Sequence, residues 1–253
     1  VNLVLTSAHV EFKRLTRTGL LTGLVAVFAF FGVSSPALAL LLPDLLRSAA
    51  STEQLTVHAA TATPGDALAL YVQSAMQLGL VLAAAVAVTA LGWDARPGSS
   101  VFYRTRSVSL AALVLPRVLV GWVVVVVCHL AALTAAAVST AVVIAPVESQ
   151  EIVRLGAATS AYLVMAMAIG HVLMATLRRT AAALATTTLL MLVLPLLNSL
   201  PGAVAWAPTA LLAAATASSG ALVVPYLTTI GTTAACLLVA ARVTAQRSIR
   251  RDA

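Results

Sequence analysis

Residues 180–241 read TAAALATTTLLMLVLPLLNSLPGAVAWAPTALLAAATASSGALVVPYLTTIGTTAACLLVAA, and no Asp, Glu, Lys or Arg interrupts them. A soluble domain of this size needs a charged face, and this stretch has none. A helix of about 20 apolar residues spans the roughly 30 Å hydrocarbon core of a bilayer. A charge left at its centre costs about 2.5–3.5 kcal/mol on insertion scales. Shorter charge-free stretches precede this one. A mean hydropathy of +1.03 over 253 residues, with 61% hydrophobic and 9% charged residues, places the whole chain in lipid.

The charge-free stretches predict an all-α polytopic membrane protein of six spans, at residues 20–42, 68–91, 118–141, 155–177, 181–200 and 222–241. Lys and Arg in short loops set orientation by the positive-inside rule. With both termini in the cytoplasm, Lys13, Arg14, Arg17, Arg96, Arg104, Arg106, Arg117, Arg178, Arg179, Arg242, Arg247, Arg250 and Arg251 all lie inside, leaving Arg47 and Arg154 outside. Asp44, Glu53, Asp66, Glu148 and Glu151 fall on the outer side. The pI near 10.4 therefore reflects orientation in a membrane rather than nucleic-acid binding. Trp93 and Trp122 fall at the inner ends of spans two and three and Trp206 near the outer end of span five, as interfacial aromatic belts require. Cys128 and Cys236 both lie within spans, so no disulfide framework is expected. One Lys against 14 Arg, with abundant Ala and Val, resembles the coding bias of a high-GC bacterium, whose cytoplasmic membrane would be the location.

The first span has a targeting alternative. Ala37-Leu38-Ala39 has the form of a signal-peptidase site behind a basic start, but the apolar stretch exceeds the usual 7–15 residues of such signals, so a retained span is expected. Before it, Val4, Leu5, Ala8, Phe12 and Leu15 share one helical arc while Glu11, Lys13, Arg14 and Arg17 fall elsewhere. Residues 1–19 thus read as an amphipathic helix in the cytoplasmic interface, turning into the membrane near Gly19; the plainer alternative is a basic flank. Residues 43–67 read as an outer loop. Residues 92–117 form a cytoplasmic connection in which Val101, Phe102 and Tyr103 are bracketed by Arg and turn formers, and so present an apolar knob to a soluble partner. Arg178-Arg179 is short enough only for a helical hairpin. Asn198, Pro201, Trp206, Pro208 and Gly220 around the apolar residues 210–217 suggest a partly re-entrant or interfacial turn on the outer side. Residues 118–241 then hold spans three to six and residues 242–253 a cytoplasmic tail, the whole making one transmembrane domain.

Chemistry is sparse. No phosphate-binding loop is present, since the single lysine, Lys13, is followed by Arg14, and no zinc or hydrolase motif occurs. His129 and His171 are ionisable groups at depth, where either a helix-helix hydrogen bond or a proton relay would account for them. Gln73 and Gln77, with Met76 beside them, make a polar face on span two that reads either as a translocation path or as an inter-helix seam. Thr186, Thr187 and Thr188 in span five read as helix packing. A membrane-embedded enzyme would need convergent nucleophiles, carboxylates or metal ligands at one depth, and a secondary transporter or channel would show repeats or buried charges. Neither pattern is visible.

In order and placement these pieces resemble the permease subunit of type-2 (ABC-2-like) ATP-binding-cassette exporters. The family commonly carries an acidic residue after span two, then Gly-Thr four positions later, apolar residues and a turn. Here Asp94, Gly98-Ser99, Val101-Phe102-Tyr103-Arg104 and Thr105-Arg106-Ser107-Val108-Ser109 take those places, with Pro97 before the glycine and Ser107 where proline is frequent. Arg117 matches the basic residue at the start of span three, and residues 170–183 are similar to the family's passage from span four to span five. The resemblance implies an elbow helix carrying Phe12, Lys13, Arg14 and Leu15, and an ATPase-coupling helix at Val101, Phe102, Tyr103, Arg104, Thr105 and Arg106. It implies export along a path lined by spans two and five, for which Gln73, Met76, Gln77, His171, Thr187 and Asn198 are the candidates, and an uncharged lining of Met, Gln and Thr favours a hydrophobic or amphipathic small molecule. It also implies a second permease, identical or related, and two copies of a separate ATP-binding subunit that would use the ATP and magnesium. The chain itself would bind no cofactor, metal or nucleic acid and would not be catalytic.

Overall fold

The computed structural model describes residues 3–52, 62–95, 110–200, 202, 205–213 and 222–249. Among these the protein is all α. It contains α1 (Leu3–Arg17), α2 (Leu20–Thr52), α3 (Pro64–Ala90), α4 (Leu110–Val143), α5 (Ser149–Leu177), α6 (Thr180–Val193) and α7 (Val223–Ile249), with 3₁₀ turns at Gly92–Ala95, Leu194–Ser199 and Pro208–Ala213. Five helices are long and apolar enough to cross a membrane: α2, α3, α4, α5 and α7. The protein is a polytopic α-helical membrane protein.

The fifth expected span, residues 181–200, is not a single long helix. α6 has 14 residues, about 21 Å of rise, and gives way at Leu194-Pro195 to the six-residue 3₁₀ turn. Proline has no N–H to donate and its ring crowds the preceding turn, so the α-helix does not continue through it. The chain nevertheless traverses the bundle here. Arg178, just before α6, lines a small recess together with Leu91 at the end of α3 and Thr244 near the end of α7. At the opposite end, Thr228 in the second turn of α7 donates to the Trp206 carbonyl at 2.7 Å. α5 and α7 therefore run parallel, and residues 180–213 return the chain between them. In that return Pro208, Thr209, Ala210 and Leu211 are buried.

Helix boundaries depart from the hydropathy limits in an informative direction. α2 runs ten residues beyond residue 42, through Pro36 and Pro43, and α4 begins at Leu110, so that Pro116 and Arg117 are helical. Charge marks where a helix leaves lipid, not where it stops being a helix. The outer loop is correspondingly shorter than residues 43–67. Thr63-Pro64-Gly65-Asp66 starts α3 with a capping box, in which the Thr63 hydroxyl accepts from the Asp66 N–H and the Asp66 carboxylate accepts from the Thr63 N–H at 2.9 Å. The Arg178-Arg179 hairpin is as tight as expected. Arg178 takes a left-handed conformation, φ 57°, and its N–H caps α5 on the Met174 carbonyl.

α3 and α5 form the centre of the bundle, with 56% of their apolar windows buried against 17% for α7. Packing rests on small residues, as it must where lipid tails are as apolar as the core. α2 and α4 approach so closely at Gly32 that a Cβ there would lie 2.6 Å from the Ala132 carbonyl oxygen. Pro36 explains the chemistry of this crossing. Lacking an N–H, it leaves the Gly32 carbonyl without its helical donor, and the Ser139 hydroxyl of α4 reaches that oxygen at 3.2 Å while also bonding its own helix at Ala135 (2.8 Å).

Gly32→Ala should therefore destabilise the protein in detergent by about 1–3 kcal/mol, because backbone rather than a side-chain tip must move. Gly231→Ala is the control: nothing lies within 4 Å of that position, and a helical Ala should be neutral or stabilising. Thermal unfolding of the two variants checks this, and equal melting temperatures would refute the close-crossing account.

Candidate functional site

The N-terminal helix is amphipathic, but the face it turns inward is not its apolar arc. Ser7, Glu11 and Leu15, at helical spacing, are buried, with Glu11 only 1% exposed, whereas Leu5 and Phe12 point away from the bundle at 66% and 47% exposure. The Arg14 guanidinium makes a bidentate pair with Glu11, at 2.5 and 3.0 Å, and donates to the Thr89 hydroxyl at 2.9 Å. Sharing donors in this way satisfies a buried carboxylate and ties α1 to the last turn of α3. Of the four expected elbow residues, Arg14 makes this clamp, Leu15 joins the core, and Phe12 and Lys13 are exposed. The signal for the clamp, Glu and Arg three apart, is present in the sequence. Gly19, with φ +72°, turns the chain from α1 into α2.

Two buried histidines have opposite surroundings. His129 of α4 is fully enclosed and saturated. Its Nε2 lies 2.7 Å from the Thr159 hydroxyl of α5 and its Nδ1 3.1 Å from the Tyr71 hydroxyl of α3. Thr159 gives its own hydrogen to the Leu155 carbonyl at 2.7 Å, so it accepts from Nε2–H, and Nδ1 shares the Tyr71 hydrogen with the His129 carbonyl, also 3.1 Å away. Tyr71 also stacks on the imidazole and Phe28 meets it edge-on, at centroid distances of 5.8 and 5.6 Å. A neutral ring suits every member, and four helices meet at it, α2, α3, α4 and α5. Of the two readings left open for His129, this geometry is the inter-helix bond.

His171 of α5 is 1% exposed, and both ring nitrogens are closed off from solvent. The Ala87 backbone of α3 lies beside the ring as a hydrogen-bonding group, and Trp122 of α4 stands 6.3 Å away, centroid to centroid. The imidazole forms part of the wall of a cleft of about 430 Å³ between α4 (Val114, Leu115, Val118) and α7 (Leu237, Ala240, Ala241, Thr244, Ala245), with Leu91 at the end of α3. Leu115, Ala241 and Ala245 are exposed, so the cleft opens at the side of the bundle. It lies at the end of the bundle that carries Arg14 and Arg178, and where the Arg117 guanidinium sits 5.6 Å over the Trp93 ring.

The remaining path candidates lie in different surroundings. Met76 and Thr187 are buried in the core, and the Thr187 hydroxyl bonds its own helix at Ala183, 2.7 Å away. Gln73 and Gln77 point out of the bundle. Asn198 is exposed at the far end, where its side-chain oxygen accepts from Thr209 at 2.6 Å. Among the described residues they lie in separate places: Met76 and Thr187 in the core, Gln73 and Gln77 on the surface, and Asn198 at the far end. Val101, Phe102, Tyr103, Arg104, Thr105 and Arg106 fall outside the described residues. Cys128 and Cys236 are both free thiols. Comparison of the chain with protein families, with curated proteins and with solved structures finds no match.

Tyr71→Phe and Thr159→Val should each destabilise the protein by about 0.5–2 kcal/mol, the range of inter-helix hydrogen bonds in membranes. In a His129→Leu background the Tyr71→Phe effect should shrink, since the ring acceptor is gone and only the backbone carbonyl of residue 129 remains for the tyrosine hydroxyl. A double-mutant cycle on thermal stability measures this coupling, and strict additivity would show that the three groups do not act together.

Proposed function

We propose that the chain is the permease subunit of an ATP-binding-cassette exporter of the type-2 kind, moving a hydrophobic or amphipathic small molecule. The observation that carries this reading is the order of parts along the bundle. An amphipathic helix is clamped at the basic end, five long apolar helices follow, and the remaining return crossing is built from a short helix and buried 3₁₀ turns. In this reading α6 and its 3₁₀ extension, together about 33 Å of rise, make the sixth crossing. α1 lies in the cytoplasmic interface with Leu5 and Phe12 in lipid. The chain would supply the path and the mechanical contact, while two copies of a separate subunit, using ATP and magnesium, would drive the conformational change. A sequence without a phosphate loop supports that division of labour.

The outward Gln73 and Gln77 support a second permease. Carboxamides on a lipid-facing helix lose their hydrogen bonds to water, and a facing copy or a hydrated path between two copies would restore them. The Met, Gln and Thr residues proposed for that path carry no charge, which favours an amphiphile over a strongly charged solute.

Reporter fusions test the topology. Those at Leu55 and Gln150 should read external, and those at Gly98, Arg179 and the C-terminus cytoplasmic; a cytoplasmic signal at Leu55 would invert the arrangement.

Gentle purification of the tagged chain should bring down an ATP-binding subunit. Phe102→Ala, Tyr103→Ala or Arg104→Glu should weaken that association or its ATPase turnover while the chain still inserts. Recovery of a folded chain that conducts or exchanges solute with no ATPase attached would favour a secondary transporter or channel instead.

A further inference from the structure

From the outward edge of α1 we infer a docking surface for the anionic headgroups of membrane phospholipids. The fold sorts the charges of this helix into two sets. Glu11, its one acid, is buried and held by Arg14, so a neutral pair faces the bundle. Lys13 and Arg17 remain exposed, and among the described residues no carboxylate pairs with either. The outward side of α1 therefore carries two positive charges and no negative one.

Position around the helix decides what those charges face. At about 100° per residue, Leu5 and Phe12 lie together on one flank of the buried line of Ser7, Glu11 and Leu15, Lys13 lies opposite that line, and Arg17 stands one turn beyond Lys13. With the buried line against the bundle and Leu5 and Phe12 in the acyl region, Lys13 and Arg17 come out among the headgroups. Their aliphatic stems run along the interface and their charges meet phosphate. A soluble acidic partner would match Lys13 and Arg17 but leave Leu5 and Phe12, 66% and 47% exposed, beside water. An anionic bilayer surface takes all four side chains, whereas a zwitterionic one takes the apolar pair and gives the cations no net attraction. The inference rests on the interfacial placement of α1 and is independent of the exporter reading.

The test is photolabelling of the full-length chain in phosphatidylcholine nanodiscs with two probes, phosphatidylglycerol and phosphatidylcholine, that share one photoreactive acyl chain. Mass spectrometry then maps the label on residues 3–17. One basic residue at the membrane surface contributes about fivefold to the attraction of anionic lipid, so at low salt the phosphatidylglycerol probe should label this segment roughly 25-fold more strongly than the phosphatidylcholine probe. Lys13→Gln or Arg17→Gln should each cut that preference about fivefold, and the double variant should abolish it. All three variants should melt in detergent as the wild type does, because both side chains are exposed. Salt at about 0.5 M should shrink the preference, whereas millimolar inorganic phosphate should not displace the probe, since a free anion brings no acyl chain. Phe12→Ser should lower labelling by both probes and leave their ratio unchanged. Equal labelling by the two probes in the wild type, or a preference that survives the double variant, would overturn the lipid assignment and leave the basic edge to a soluble acidic partner. Displacement by phosphate would make it a free-anion site, and a lowered melting temperature in the double variant would mean that these side chains hold the fold. If neither probe labels residues 3–17, the interfacial placement of α1 itself fails, an outcome distinct from loss of headgroup preference alone.

Discussion

The hydrocarbon interior offers no hydrogen-bond partner, so every polar group carried into it must be satisfied by the chain itself. That constraint organises this protein more than any single contact. The Gly32 crossing shows how far it reaches. Pro36 strips a donor from α2, the glycine lets α4 come within reach, and Ser139 supplies a replacement. Remove the small residue and the hydroxyl cannot arrive; remove the proline and the carbonyl no longer needs it. The two helices are held in register by a defect in one of them.

The same constraint explains how a chain so rich in threonine crosses lipid. Thr140, Thr159, Thr187 and Thr229 each return their hydroxyl to the carbonyl four residues earlier, at 2.6–2.7 Å. Bonded in this way a threonine presents mostly its methyl group to neighbours, and behaves as packing. Thr187 does so, its methyl close to where a side chain on Gly170 would stand. Only where a second group can share the oxygen does the hydroxyl become a contact between helices, as Thr159 is for His129 and Thr89 for Arg14.

Much of the architecture was legible in the sequence because it is written in long-range hydropathy, which reports the lipid boundary directly. The long helices, the Arg178-Arg179 hairpin and the broken region around Pro208 follow from it, whereas the break at Pro195 falls inside a stretch that reads as one span. Helix ends did not, since α2 and α4 extend past their charges and through prolines that local hydrogen bonding accommodates. The N-terminal helix was legible as amphipathic, but which face packs was not. Leu5 and Phe12 of the apolar arc face away from the bundle, and Glu11 goes in because Arg14 accompanies it. Gln73 and Gln77 were legible as a shared face, and a periodicity argument cannot say whether such a face looks into the protein or out of it.

The two histidines mark the limit of sequence reading most clearly. His129 and His171 sit in equally apolar helices, and nothing within several residues of either distinguishes a ring bonded between side chains from one closed in beside backbone. The difference lies in what the neighbouring helices bring: α3 and α5 deliver Tyr71 and Thr159 to His129, while α7 brings Ala240 and Ala241 to the cleft beside His171. Alanines close a helix contact when the facing helix approaches, as at Gly32, but α4 stands off from α7, and the result is space.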